Sequence, residues 1–178
     1  MNDFIDDLAY SHACEDAACW AQIYRMAFPT MMAMHSHKAD GDHQRNGIDR
    51  SVILDNGKQI LIDEKARRRH DTGDIMLEYV SNNVRGTPGW VEKRLMCDYI
   101  AYAFIPSGTA YLFPVVQLQA AWSKNKESWL ASFGTRAAKN NGYETFNCPV
   151  TTNLLFKEIG QMLRIHFTPQ PSCGERSN

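Results

Sequence analysis

Two carboxylates and an ammonium, Asp49, Asp63 and Lys65, are the residues whose types and spacing suit chemistry. Side chains alternate faces along a strand, so Asp63 and Lys65 project to one side while Glu64 points away. Asp49 lies just before Arg50-Ser-Val-Ile-Leu54, a run of extended character, and Gln59-Ile-Leu-Ile62 is strand-like as well. Between them Asp55-Asn56-Gly57-Lys58 is a strong turn signal, and the three segments together predict a hairpin. With the turn at Asn56-Gly57, Asp49 stands seven residues before it and Asp63 six after it, so the two acids oppose each other. Paired carboxylates repel, raise each other's pKa, and form an oxygen-ligand site for a hard divalent cation such as magnesium. Such an ion polarises a phosphate and activates water, and a neighbouring lysine positions or helps deprotonate that water and offsets transition-state charge.

The elements that must hold these residues are read from patterning. Phe4 to Phe28 has helical spacing, with Pro29 as a stop, and predicts one long or broken amphipathic helix. Met31 to Asn46, with His35, His37, Asp40, Gly41, Asp42 and His43, predicts an exposed loop. Downstream, Asp74 to Val80 predicts a strand and Asn82 to Gly89 a loop. Tyr99–Ile105 and Ala110–Val115 predict a core hairpin around Pro106-Ser-Gly-Thr109. Val116 to Leu130 predicts a helix, Gly142 to Val150 a strand, and Thr151 to Arg164 a helix with Leu154, Leu155, Ile159 and Leu163 on one face. Residues 1–167 are expected to form one α/β domain, and 168–178, rich in Pro and Ser, a frayed tail.

The bulk composition excludes several classes. Of 178 residues, 19 are Lys or Arg and 20 Asp or Glu, so a net charge of -1 provides no global attraction to a polyanion. Phosphate affinity must come from local clustering. Lys65, Arg67, Arg68, Arg69 and His70, joined by Arg45 and Arg50, are expected to form a basic lip around the acids, with His43 a phosphate contact near Asp49. A second basic region contains Lys124, Lys126, Arg136 and Lys139. The five cysteines, Cys14, Cys19, Cys97, Cys148 and Cys173, form no CxxC pair, which suits reduced thiols in a cytoplasmic protein. His35, His37 and His43 fit no structural zinc spacing. Met1 to Tyr10 lacks the basic residues of a secretory signal, and no apolar run reaches membrane-spanning length, so no membrane partner is expected. Trp20, Trp90, Trp122 and Trp129 are assigned to packing.

Gly47-Ile48-Asp49 followed by Ile62-Asp63-Glu64-Lys65 resembles the PD-(D/E)XK nuclease superfamily, in which an acid on one strand precedes (D/E)-x-K on the next. Gly47-Ile48 stands where that family often has a proline. The run from Gly47 through Arg69, Asp74-Ile-Met-Leu-Glu78, Gly89-Trp90 and Cys97-Asp-Tyr-Ile100 is similar to uncharacterised phage and prophage members. The resemblance implies a restriction-endonuclease-like mixed β-sheet flanked by helices. It also implies magnesium or manganese as cofactor, phosphodiester hydrolysis with DNA as the first-choice substrate, and a bacterial cytoplasm as the setting. Asp49 and Asp63 become metal ligands, Lys65 the catalytic lysine, the Glu64 backbone carbonyl a candidate third ligand, and Glu15, on the preceding helix, a candidate further one. A bulge that switched faces would instead bring the Glu64 carboxylate to the metal, and Glu78 is a candidate outer contact. An RNA-directed nuclease and an inactive binding module on the same fold remain as alternatives, and the oligomeric state, a homodimer among the options, stays open.

Overall fold

The hairpin forms as its turn residues dictate. In the computed structural model, which describes residues 18–169, β2 (Arg50–Leu54) and β3 (Gln59–Arg67) pair antiparallel from Arg50↔Ile62 to Ile53↔Gln59. Asp55-Asn56-Gly57-Lys58 joins them, closed by Leu54 N–H donating to Lys58 O and Gly57 N–H to Leu54 O, both 2.9 Å. Gly57 takes φ 79°, a left-handed conformation that favours glycine and suits this hairpin class. The strand does not end at Ile62. It continues through the charged residues to Arg67 by pairing in parallel with β6 (Tyr99–Phe104), from Ile62↔Tyr99 to Arg67↔Phe104.

The described residues are mixed α/β and divide into two compact units. In the first, a six-stranded mixed sheet runs β1-β2-β3-β6-β7-β10, where β1 is Met31–Ser36, β7 Thr109–Pro114 and β10 Leu163–His166. Helix α1 (Ala18–Ala27) lays Trp20, Ile23 and Tyr24 against Val52, Ile60, Ile62, Ala101, Ala103, Ala110 and Leu112. The Trp20 and Tyr24 rings stack on each other with centroids 5.8 Å apart, in a core that also holds the small Ala101, Ala103 and Ala110. In the second unit, an antiparallel sheet runs β5-β4-β9-β8, with β4 Asp74–Asn82, β5 Thr87–Pro88, β8 Arg136–Asn140 and β9 Tyr143–Thr151. Helices α3 (Val115–Phe133) and α4 (Thr152–Ile159) belong to it, and Trp122 of α3 stacks on Tyr79. All four tryptophans are buried, as packing residues should be.

Three expectations are corrected. Met31 to Asn46 is not a loop: β1 pairs with β2 from Met31↔Leu54 to Ser36↔Arg50, and Gly41–Arg45 forms the short helix α2. As an edge strand, β1 buries only parts of Met31 and Met34, so its apolar alternation is weak. The helix after Thr151 stops at Ile159, because Gly160 adopts φ 73° and its N–H closes on Phe156 O at 3.1 Å; Leu163 then belongs to β10. Arg136 to Asn140, read only as basic surface, is a strand reversing into β9 through Asn141-Gly142. The helix expected from Phe4 is seen from Ala18, and its earlier part, with Glu15, lies outside the described residues, as do 170–178.

Candidate metal and phosphate site

Asp49 is fixed from three directions. Its carbonyl accepts the His37 N–H at 2.8 Å, its own N–H donates to Ile62 O at 2.9 Å, and its carboxylate Oδ2 accepts the Glu64 N–H at 2.7 Å. The β2–β3 register, carried one residue past Arg50↔Ile62, sets Asp49 opposite Asp63. The two carboxyl groups lie within hydrogen-bonding reach of each other. Lys65, two residues along the same face, donates from Nζ to Asp63 Oδ1 at 2.6 Å. The triad foreseen from spacing is therefore one contiguous cluster, on a strand whose neighbours on both sides hold it.

The electrostatics of the cluster follow from its burial. Asp63 is 3% exposed. Burial pushes its carboxyl up to about 6; Lys65 opposes that shift and Asp49 adds to it. For Lys65 burial works downward, yet the Asp63 and Asp49 carboxylates outweigh it and hold the ammonium above its ordinary value. Lys65 is thus a cation at neutral pH, suited to orienting water or a phosphate oxygen and to offsetting charge rather than to accepting a proton. Cys97 forms a buried wall beside the cluster, its thiol pushed up to about 12 by burial and by Asp63, so it stays neutral. Sequence reasoning gave Cys97 no role, and no spacing marks it.

Among the described residues no group of three or more His, Cys, Asp or Glu side chains is arranged to hold a metal. Asp49 and Asp63 supply two hard oxygen donors, a set that fits magnesium or manganese, which complete their shells with water and phosphate oxygens. The fit rests on the pressed acids: with both ionised, two negative charges face one tethered ammonium, an imbalance a divalent cation would relieve.

The Glu64 and Arg50 side chains turn away from this cluster. The Glu64 side chain lies on the opposite face, where its carboxylate accepts from Tyr24 Oη at 2.7 Å and Arg50 Nε at 2.5 Å and forms an ion pair with Lys38 Nζ at 2.9 Å. No bulge interrupts β3 between Ile62 and Arg67, so the strand does not switch faces, and only the Glu64 backbone belongs to the acid side. Arg50 is 5% exposed and committed to Glu64, so it is not part of a basic lip. Its charge suggested surface, but alternation along β2 turns it inward. Arg67 lies over the Tyr102 ring at 4.6 Å and Arg69 over Phe104 at 5.3 Å, while Arg68 is exposed. Arg45 is exposed and pairs with Asp42. His43 stacks on His37 with centroids 4.3 Å apart, and its Nδ1 meets Asp40 at 2.8 Å. His37 Nε2 lies 2.9 Å from Ser51 Oγ.

Glu78 is on β4 of the second unit. Of the second basic region, Lys124 pairs with Glu158 and Lys126 with Glu92, leaving Arg136 and Lys139 along exposed β8. Asp98, not singled out from sequence, ties down the start of β3: its Oδ2 accepts the Leu61 N–H at 2.8 Å and its N–H donates to Leu61 O at 2.7 Å. No helix among the described residues is long and apolar enough to cross a membrane. No protein-family model, curated protein or solved structure matches the chain.

Proposed function

We propose that the chain is a magnesium- or manganese-dependent nuclease, hydrolysing phosphodiester bonds in nucleic acid, DNA before RNA, in the cytoplasm of a bacterial host. The observation that carries this reading is the opposition of Asp49 and Asp63 across the hairpin with the Lys65 ammonium on Asp63 Oδ1. Asp49 and Asp63 would hold the ion, which when bound supplies Lewis acidity toward a phosphate oxygen and acidifies water. Lys65 would donate to the non-bridging oxygens and balance the charge that develops on them. Arg67, at the end of β3, and Arg68 and Arg69 just beyond it would meet flanking phosphates. The choice of DNA rests on the resemblance stated above.

The test is cleavage of plasmid DNA and of DNA and RNA oligonucleotides with magnesium or manganese, comparing the parent with Asp63→Ala and Lys65→Ala. Each substitution is expected to lower turnover by about 100-fold or more, the scale of removing a group that stabilises developing charge. Equal activity in all three proteins would end the reading, and cleavage of RNA alone would move the substrate.

A further inference from the structure

One residue on β3 grips two successive residues, Asp49 just before β2 and Arg50 at its start. The Glu64 N–H holds the Asp49 carboxylate at 2.7 Å, while the Glu64 carboxylate holds Arg50 Nε at 2.5 Å. The side chain is fully buried, and its two oxygens take hydrogen bonds from Tyr24 of helix α1 and Arg50 of β2 and an ion pair from Lys38 in the segment after β1. Three separate elements therefore converge on the residue that sits between Asp63 and Lys65. Nothing in the proposed chemistry uses that carboxylate, although it stands on the face of Ile60 and Ile62, where the strand otherwise turns apolar residues to the core.

We propose that Glu64 is a positioning residue: anchored by Tyr24, Arg50 and Lys38 behind the strand, it aims its N–H at Asp49 and so sets the orientation of that carboxylate toward Asp63. The proposal rests on the metal-site reading for its consequence but not for its geometry. A slip of β3 by one residue would carry Glu64 to the acid face and put Asp63 and Lys65 against the apolar core. The anchored carboxylate resists that slip more strongly than an isoleucine would, because it is tied to fixed donors in three directions. It also ties Asp49 and Arg50 to a common point, so the turn of the peptide between them is fixed. Groups that orient a metal ligand in this way affect affinity without touching the ion.

The experiment compares the parent with Glu64→Gln, Glu64→Leu and the triple variant Lys38→Met/Arg50→Met/Glu64→Leu, each checked for folding by circular dichroism. The triple variant removes the clamp without stranding buried charge, so a folded protein without it is available even if Glu64→Leu alone fails to fold. Two readouts are taken on each. One is the downfield proton shift of the amide at position 64, assigned by its loss in Asp49→Ala; the other is manganese affinity by electron paramagnetic resonance. Glu64→Gln, which keeps an acceptor oxygen for Arg50 and Tyr24, should retain the amide shift and bind manganese within about threefold of the parent. The folded clamp-free variant should lose the shift and bind manganese about 10- to 100-fold more weakly. A clamp-free variant that keeps either the shift or the parental affinity overturns the proposal. If the parent itself binds no manganese while the clamp-free variant loses the amide shift, Glu64 positions Asp49 and the nuclease reading fails instead.

Discussion

On one face of β3 the Glu64 carboxylate is met by Tyr24, Arg50 and Lys38; on the other, Asp63 stands between Asp49 and the ammonium of Lys65. Asp63 and Glu64, the centres of the two clusters, are buried and stand back to back on consecutive residues of one strand. Their charge balance is opposite. The rear cluster sets two cations around one anion, whereas the front sets Asp49 beside Asp63 and Lys65, with the Asp63 carboxyl raised by burial and by Asp49. A saturated buried cluster holds structure together. A cluster whose buried acid is pushed up by burial and by a second acid is an arrangement that a ligand can relieve, which is a common signature of a functional site.

The sharpest way to break this comparison is to remove one charge from each side. Glu64→Ala strands Arg50 and Lys38 without their acceptor and is expected to lower unfolding free energy by about 3 to 5 kcal/mol, measured by urea denaturation. Exchanging Lys38, Arg50 and Glu64 together for apolar residues of similar volume should recover most of that loss, because the desolvation of the ions disappears with them. If Glu64→Ala were as stable as the parent, the rear cluster would not be structural and the contrast would collapse.

On the front face the sign reverses. The Asp63 carboxyl sits at about 6 in the folded chain against about 3.9 in an unfolded one. The folded state therefore binds that proton more tightly. Its stabilising contribution is full below about pH 4 and is lost as the pH rises through 6. Asp63→Asn, fixed in a neutral form, should thus gain on the metal-free parent from pH 4 to 7, by at most about 3 kcal/mol at neutrality. Denaturation midpoints at pH 4, 5, 6 and 7 read this directly, and a flat difference between the two proteins would show that the acids are not pressed together. The same protein should be inactive, so the substitution that stabilises the fold abolishes turnover.

Most of the front face was legible in the sequence, and the rear face was not, although the same register governs both. The turn at Asn56-Gly57 and the alternation of residues 59–65 are local signals, and they suffice to oppose Asp49 and Asp63. That opposition also places Arg50 and Glu64 together on the other face, since each adjoins one of the opposed acids. The step was missed because charged residues are ordinarily read as exposed, and the cost of burying them is hidden until their partners, 14 residues apart in chain, are seen to meet. Strand β1 escaped for a different reason: an edge strand buries little, so Met31–Ser36 carries no clean period and looks like loop. Tyr24 and Lys38 join the rear cluster through tertiary packing, for which no short-range pattern exists.

The smallest expected effects lie along the basic run that leaves β3, and they decide how far the front site extends. Arg67 is held over the Tyr102 ring at 4.6 Å on the face of Asp63 and Lys65, whereas Arg45 is exposed and tied only to Asp42. Arg67→Ala should lower stability by about 1 kcal/mol through the lost ring contact, and Arg45→Ala should stay within about 0.5 kcal/mol of the parent. Binding to nucleic acid separates them again. A cation that neutralises a phosphate contributes close to one unit to the slope of log affinity against log salt. Loss of Arg67 should reduce that slope by about 1, while loss of Arg45 should leave it unchanged if the phosphate track follows the strand rather than helix α2. The reverse outcome would shift the track toward His43 and Arg45, on the side of the hairpin where Asp49 begins. The acid pair would then be approached from β1 and α2 rather than from the end of β3.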